Sequence, residues 1–371
     1  MHMTITDDFS ALGLSEQMLA AVRAKGFETP TAIQKLTIPH LLTKPNDIIA
    51  QSQTGTGKTA AYGLPILQTL EPARGPIQAI ILVPTRELAL QAAEELLSYN
   101  REKRLSITAI YGGAAMSEQL RRLAKGIDIV VGTPGRVLDH IRRGTMKLEN
   151  VRYLVLDEAD EMLNMGFVED VEEIMSHTSD ERRVLLFSAT MPDDIVKLAN
   201  TMLRNPAHVT VTPPASVVET IRQSVLFAEK AEKRTLLASL LRERPESSVL
   251  VFSRTKHGAD RIARILTKAG IEGRAIHGDK SQGARERAMN DFRSGACRVL
   301  IATDIAARGI DISELPLVIN YDLPEVPETY VHRIGRTGRA GRDGQAIAFC
   351  SEEERPLLKD ILKLTGLELD P

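Results

Sequence analysis

Short runs of Val, Ile and Leu alternate along the first half of the chain with longer stretches of mixed polarity. Residues 47–50, 79–83, 107–111, 127–131, 153–156 and 184–187 are apolar at nearly consecutive positions, the pattern of strands covered on both faces. Between them, residues 58–70, 85–100, 116–125, 135–143 and 193–202 carry apolar residues at helical spacing. The second half repeats the plan, with strands expected at 249–252, 274–276, 299–302, 317–320 and 345–349. Helices are expected there at 254–269, 284–294 and 329–334. Alternation of this kind predicts an α/β fold, each half a mostly parallel sheet with helices on both faces.

The halves share a pattern and not a residue-by-residue repeat. Pro213-Pro214 must interrupt regular structure, so the expected organisation is a lobe at 1–210, a linker at 211–217 and a second lobe at 218–371. A length of 371 residues suits two domains. With 43% hydrophobic and 26% charged residues, both lobes can bury a core. Two cysteines exclude a disulfide framework and suit a reducing compartment. No apolar run approaches the roughly 18 residues of a membrane span, so a soluble, cytoplasmic protein is expected. The net charge of −2 excludes nucleic-acid binding by bulk positive charge, though not by a local basic stripe.

Chemistry enters where the strand at 47–50 runs into Ser52-Gln53-Thr54-Gly55-Thr56-Gly57-Lys58-Thr59 and then a helix. This is the context of a phosphate loop. Its backbone N–H groups would cradle a phosphate, Lys58 would reach the β and γ oxygens, and the Thr59 hydroxyl would ligate Mg²⁺. Ser52 stands where the general pattern carries glycine, a small-for-small change. A second site candidate is Asp157-Glu158-Ala159-Asp160, delivered by Leu154-Val155-Leu156 to a strand end, where parallel sheets place ligands. Neighbouring residues there point different ways, so Asp157 can face a metal while Glu158 faces the attacking water. By itself such a run reads as a solvated acidic helix start; the phosphate loop tips the balance.

Lys58 with its loop and the Asp157–Asp160 run resemble the DEAD-box ATP-dependent RNA helicases, and further motifs bear this out from Phe9 to about Gly344. Gly26-Phe27, Pro30, Ile33 and Gln34 resemble the family's Q motif. Pro84-Thr85-Arg86-Glu87-Leu88-Ala89, Gly112-Gly113 and Thr133-Pro134-Gly135-Arg136 resemble its RNA-facing motifs, and Ser188-Ala189-Thr190 its coupling motif. Ala302-Thr303-Asp304, Arg308-Gly309-Ile310-Asp311 and His332 to Arg339 complete the set. The resemblance implies two RecA-like lobes that close on ATP and RNA together.

It also distributes roles. Gln34 would pair with adenine N6 and N7, Phe27 would stack on the base unless it is a core aromatic at a helix entry, and Thr29 would lie alongside. Asp311 would contact the ribose. Arg339, with Arg336 three residues before it on a shared face if the segment is helical, would act as the arginine finger. RNA would run past Thr85, Arg86, Gly113, Thr133 and Arg136 on the first lobe and Arg254, Gln282, Arg285 and Thr303 on the second. Contacts to phosphate and 2′-OH carry no sequence preference. Asp160, Ser188, Thr190 and His332 would couple the two sites. Cys297, Cys350 and Met162 read as packing residues, and Glu352-Glu353-Glu354 as a helix start.

The expected activity is RNA-stimulated ATP hydrolysis driving local, non-processive unwinding of duplexes, by a monomer. An ATP-gated RNA clamp that nucleates protein assembly shares every motif. A DNA translocase would share the two-lobed core, and the Q motif argues against it.

Overall fold

The computed structural model describes residues 8–53, 55–73, 75–211, 221–307, 312, 315–338 and 344–366. The chain divides into two compact units, Met1–Thr212 and Pro213–Pro371. Apart from Val211, the expected linker lies outside the described residues.

The first unit is built on seven strands: β1 (Ile48–Gln51), β2 (Ala79–Leu82), β3 (Ile107–Ile110), β4 (Ile129–Gly132), β5 (Tyr153–Asp157), β6 (Arg183–Ser188) and β7 (Ala207–Thr210). They lie in the order β3-β4-β2-β5-β6-β1-β7 with every described pairing parallel. Consecutive apolar residues feed opposite faces of this sheet. Ala79 and Ile81 pack with helices Lys58–Thr69 and Arg86–Tyr99 on one side. Ile80 and Leu82 pack with helices Pro134–Arg142 and Asp193–Met202 on the other. This double burial is why the central strands read as unbroken apolar runs.

The second unit carries β8 (Ile221–Phe227), β9 (Val249–Phe252), β10 (Gly273–Ile276), β11 (Val299–Ala302), β12 (Leu317–Asn320) and β13 (Gly344–Cys350). Their order is β10-β11-β9-β12-β13-β8, again all parallel. Two edge strands, β7 and β8, were not expected, nor were the helices Glu16–Arg23, Ala32–Thr43 and Lys233–Arg242; the last helix, Arg355–Thr365, follows the helix start expected at Glu352-Glu353-Glu354. The edge strands are mostly half-buried or exposed, with Ile221 the one buried residue of the two, and so lack the apolar signature. Phe9, Cys297, Cys350 and Met162 are buried in the cores.

Candidate functional site

Because every strand of the first sheet runs the same way, all their C-terminal ends emerge at one end of it. The central group β5, β6 and β1 delivers the acidic run, Ser188 and the phosphate loop side by side. The outer group β3, β4 and β2 delivers Gly113, Thr133 and Thr85.

Leaving β1, the chain turns through Ser52, whose N–H donates to Ser188 O at 3.0 Å. Gly55 and Gly57 hold left-handed backbone at φ 74° and 84°. The Ser52 and Thr56 hydroxyls lie 2.9 Å apart, and Thr56 Oγ1 donates to Gln53 O at 2.8 Å. Lys58, the first residue of its helix, is buried and its Nζ donates to Ser52 O at 3.3 Å, so the ammonium is folded over the loop. Thr54 lies outside the described residues.

Gln34 ties this loop to the preceding helix. Its Nε2 donates to Gly57 O at 3.1 Å, and its Oε1 accepts from Thr31 N–H at 2.9 Å in a capping box. A Cβ on Gly57 would meet Gln34 Nε2 at 2.4 Å, so only glycine permits this approach. One amide hydrogen and one lone pair of Gln34 remain for a base edge. Phe27 is 45% exposed, with Lys25 Nζ 5.9 Å from its ring centroid, which removes the core-aromatic alternative. Thr29 is exposed on the same approach to the helix Ala32–Thr43.

Asp157 ends β5 as a buried carboxylate that accepts from the Tyr62 hydroxyl at 3.1 Å and from Glu158 N–H at 3.0 Å. Burial pushes its carboxyl above the usual range, against the opposing pull of the Lys58 ammonium and the Tyr62 bond. Glu158 follows at φ 55°, ψ 52°, a left-handed conformation unusual for a non-glycine residue. That kink breaks the strand and starts the helix Ala159–Asn164. Asp160 then reaches across to β6. Its Oδ2 accepts from both Thr190 N–H (2.9 Å) and Thr190 Oγ1 (2.8 Å), and its N–H donates to Ser188 Oγ at 3.2 Å.

Two residues here escaped the sequence reading. Tyr62 lies within an apolar helix and looks like core until its hydroxyl is seen on Asp157. Glu95 carries a carboxyl that burial raises, and the Thr59 hydroxyl adjoins both it and Tyr62. Thr59 and Asp157 are the pair that could hold a divalent cation. Among the described residues no group of three or more His, Cys, Asp or Glu side chains could do so alone.

The outer strand ends form a second cluster. Thr85 caps the helix Arg86–Tyr99, its Oγ1 accepting from Leu88 N–H. The Arg86 guanidinium lies against Gly113, where a Cβ would meet Nη1 at 2.5 Å. Arg136 Nη1 donates to Ala114 O at 3.2 Å, and Thr133 precedes the helix Pro134–Arg142. All five residues therefore meet at adjoining strand ends.

In the second unit the expected residues are dispersed among structural bonds. Arg254 donates from Nε and Nη2 to Leu323 O and from Nη2 to Glu354 at 3.2 Å. Thr303 follows β11, and Arg285 is buried on the helix Gln282–Arg293. Nothing is described of the Gln282 side chain, and Asp311 and Arg339 lie outside the described residues. The helical premise for Arg336 fails: its helix, Pro327–Ile334, stops at Gly335, and Arg336 sits in a turn beyond it. Buried Arg333 is the neighbour the sequence reading passed over. It holds Asp304 through two bonds of 2.6 and 2.8 Å while donating to Asn320 Oδ1 and Asp322 O. His332 is half-buried on the same helix.

Comparison with known proteins matches these features to a family. Residues 31–198 match the DEAD/DEAH box helicase family model, and residues 232–341 the helicase conserved C-terminal domain. The chain is 46% identical over 362 residues to the DEAD-box ATP-dependent RNA helicase CshA of Bacillus cereus, covering 98% of this chain and 69% of that one. The Bacillus subtilis CshA is also 46% identical, over 99% of this chain and 74% of its own. Among solved structures, S. cerevisiae Dbp5 bound to RNA and ADP BeF3 superposes with a TM-score of 0.89 at 35% identity, over 98% and 95% of the two chains. A DEAD box protein from the hyperthermophile Methanococcus jannaschii reaches 46% identity with a TM-score of 0.57, over 98% of both chains.

Proposed function

The chain belongs to the DEAD/DEAH box helicase family, and from that membership we propose how its own residues hydrolyse ATP and act on RNA. It is an ATP-dependent RNA helicase, in which hydrolysis to ADP and phosphate drives local unwinding of RNA duplexes or remodelling of RNA–protein complexes.

The observation that carries the assignment of residues is the shared end of the first sheet, where the phosphate loop, the acidic run and the Arg86–Gly113–Arg136 cluster adjoin. Backbone N–H groups from Gln53 to Thr59 bind the phosphates, and Lys58 gives up its bond to Ser52 O for phosphate oxygens. The exposed Phe27 ring and the unused half of the Gln34 amide bind and identify adenine, with Thr29 beside it. Thr59 and Asp157 would hold Mg²⁺, which supplies Lewis-acid neutralisation of phosphate charge. The fit is physical: a buried carboxylate whose pKa is already raised gains most from an adjacent cation. Glu158 orients the attacking water and accepts its proton. Arg336 and Arg339 supply guanidinium charge to the phosphoryl group in flight, and Asp311 binds the ribose.

RNA is held by its backbone through Thr85, Arg86, Gly113, Thr133 and Arg136, and on the second unit through Arg254, Gln282, Arg285 and Thr303. Asp160 with Ser188 and Thr190 forms the clip through which phosphate-site occupancy reaches its neighbours, and His332 serves that coupling from the second unit. No helix among the described residues is long and apolar enough to cross a membrane, and we place the protein in the cytoplasm as a monomer. Steady-state ATPase assays with single-stranded RNA and DNA of one sequence test the reading. RNA alone should stimulate turnover; equal stimulation by DNA would overturn it.

A further inference from the structure

One cavity of the second unit is lined by none of the residues assigned above, although its wall helix, Gln282–Arg293, also carries Gln282 and Arg285. It is a groove of about 1200 Å³ along β10, the outermost strand of that sheet. One wall is the helix Lys256–Lys268, which packs on one face of the sheet with Val249 and Ile301. The other is the helix Gln282–Arg293, whose Ala288 and Phe292 pack on the opposite face with Leu250 and Leu300. The groove therefore opens directly onto the free edge of β10, with the small residues Gly273, Ala275, Ala284 and Ala288 in its lining. A strand paired on one side only leaves alternate N–H and C=O groups unmade in the sheet plane, a template for another strand.

Its charge is one-sided. The lining includes seven Lys or Arg residues against two carboxylates, Asp260 and Asp291. Those two are engaged, Asp260 by Lys280 at 2.8 Å and Asp291 by Arg274 at 3.2 Å. Arg261, Arg264 and Lys268 on one wall, Arg287 on the other and Arg234 beside them are solvent-exposed, with no carboxylate partner among the described residues.

We propose that this groove docks an extended acidic segment of a partner protein, added as a strand to the edge of β10. Successive side chains of a strand point to opposite faces, and both walls are basic, so the segment would carry acidic residues at consecutive positions. The cavity lining contains no aromatic side chain, so it offers no stacking platform for nucleic-acid bases. The small lining residues admit a backbone, and the main-chain edge selects a peptide over a phosphate chain.

The test is fluorescence anisotropy of a labelled oligoglutamate peptide with the full chain in about 0.1 M salt, where charges within a Debye length still interact. Saturable binding is expected. It should weaken at least about tenfold in the Arg261→Glu/Arg264→Glu variant, and comparably when alternate peptide amides are N-methylated, while RNA-stimulated ATPase of the variant stays native. Three results would overturn the proposal: no saturable binding, equal binding of the N-methylated peptide, or a charge reversal that releases labelled polyuridylate and leaves the peptide bound. The N-methylated arm needs no variant, so it decides even if the double substitution fails to fold.

Discussion

Glu158 occupies left-handed backbone directly after a buried carboxylate, a conformation costing about 1–2 kcal/mol for a residue with a Cβ. Strain of this kind clusters at functional sites, and here it falls on the residue expected to orient the attacking water. Glu158→Gln keeps the backbone and the shape. Its ATPase should fall roughly 10²-fold or more, with ATP and RNA affinity retained because the binding groups are untouched; equilibrium titration beside turnover measurement checks both halves. Gly57 makes a contrasting case. Gly57→Ala adds strain at φ 84° and drives a methyl into Gln34 Nε2, so the loop and its tie to Thr31 are lost together. Nucleotide affinity should drop about ten- to a hundredfold, the equivalent of about 1–3 kcal/mol, read with a fluorescent ATP analogue. The glycine-rich loop and the acidic run were legible in the sequence because their chemistry depends on residue type and spacing. Tyr62 was not, since a tyrosine in an apolar helix declares nothing about where its hydroxyl points.

Among the elements, the start of the last helix shows what patterning misses. Residues 352–354 read as a helix start with carboxylates stabilised at its N-terminus, and Glu352 and Glu353 are exposed. Glu354 instead is buried and ion-paired with Lys233. It accepts from Ser351 N–H at 3.0 Å, Ser351 Oγ at 2.9 Å and Leu323 N–H at 3.2 Å, and Arg254 completes the shell. Burial alone would raise its carboxyl, but Lys233 and Ser351 outweigh it and hold the pKa below the ordinary 4.5. A group lowered in the folded state contributes stability that is present above its unfolded pKa and is lost as pH falls toward the folded one. Thermal melts should therefore show the second unit weakening below about pH 4.5. Glu354→Gln should flatten that limb and lower stability at neutral pH by about 3 kcal/mol, the scale of a broken buried pair. Legibility followed burial in the strands too. Four buried residues in a row announced β2, β4 and β9, whereas Ala207–Thr210, half solvent-facing, announced nothing. The end expected for the helix before Arg336, at Ile334, is where the structure ends it, with Gly335 and Gly338 following.

At the scale of the molecule, two parallel sheets each present their loops at one end, and the first carries nucleotide and RNA candidates together. ATP and RNA should then bind with positive, reciprocal coupling of about 1–3 kcal/mol, seen when each ligand is titrated with and without the other. Identical affinities in the two titrations would refute it. The strand order sharpens the expectation. The outer group ends at β2 and the central group begins at β5, and these two strands are hydrogen-bonded neighbours. Adjacent strands lie about 4.8 Å apart, so on the proposed assignment a message from phosphate to RNA would have one ladder to cross. A share of the coupling would then be private to residues 8–211. Produced alone, that half should still bind a nucleotide analogue more tightly when single-stranded RNA is present, though it turns nothing over.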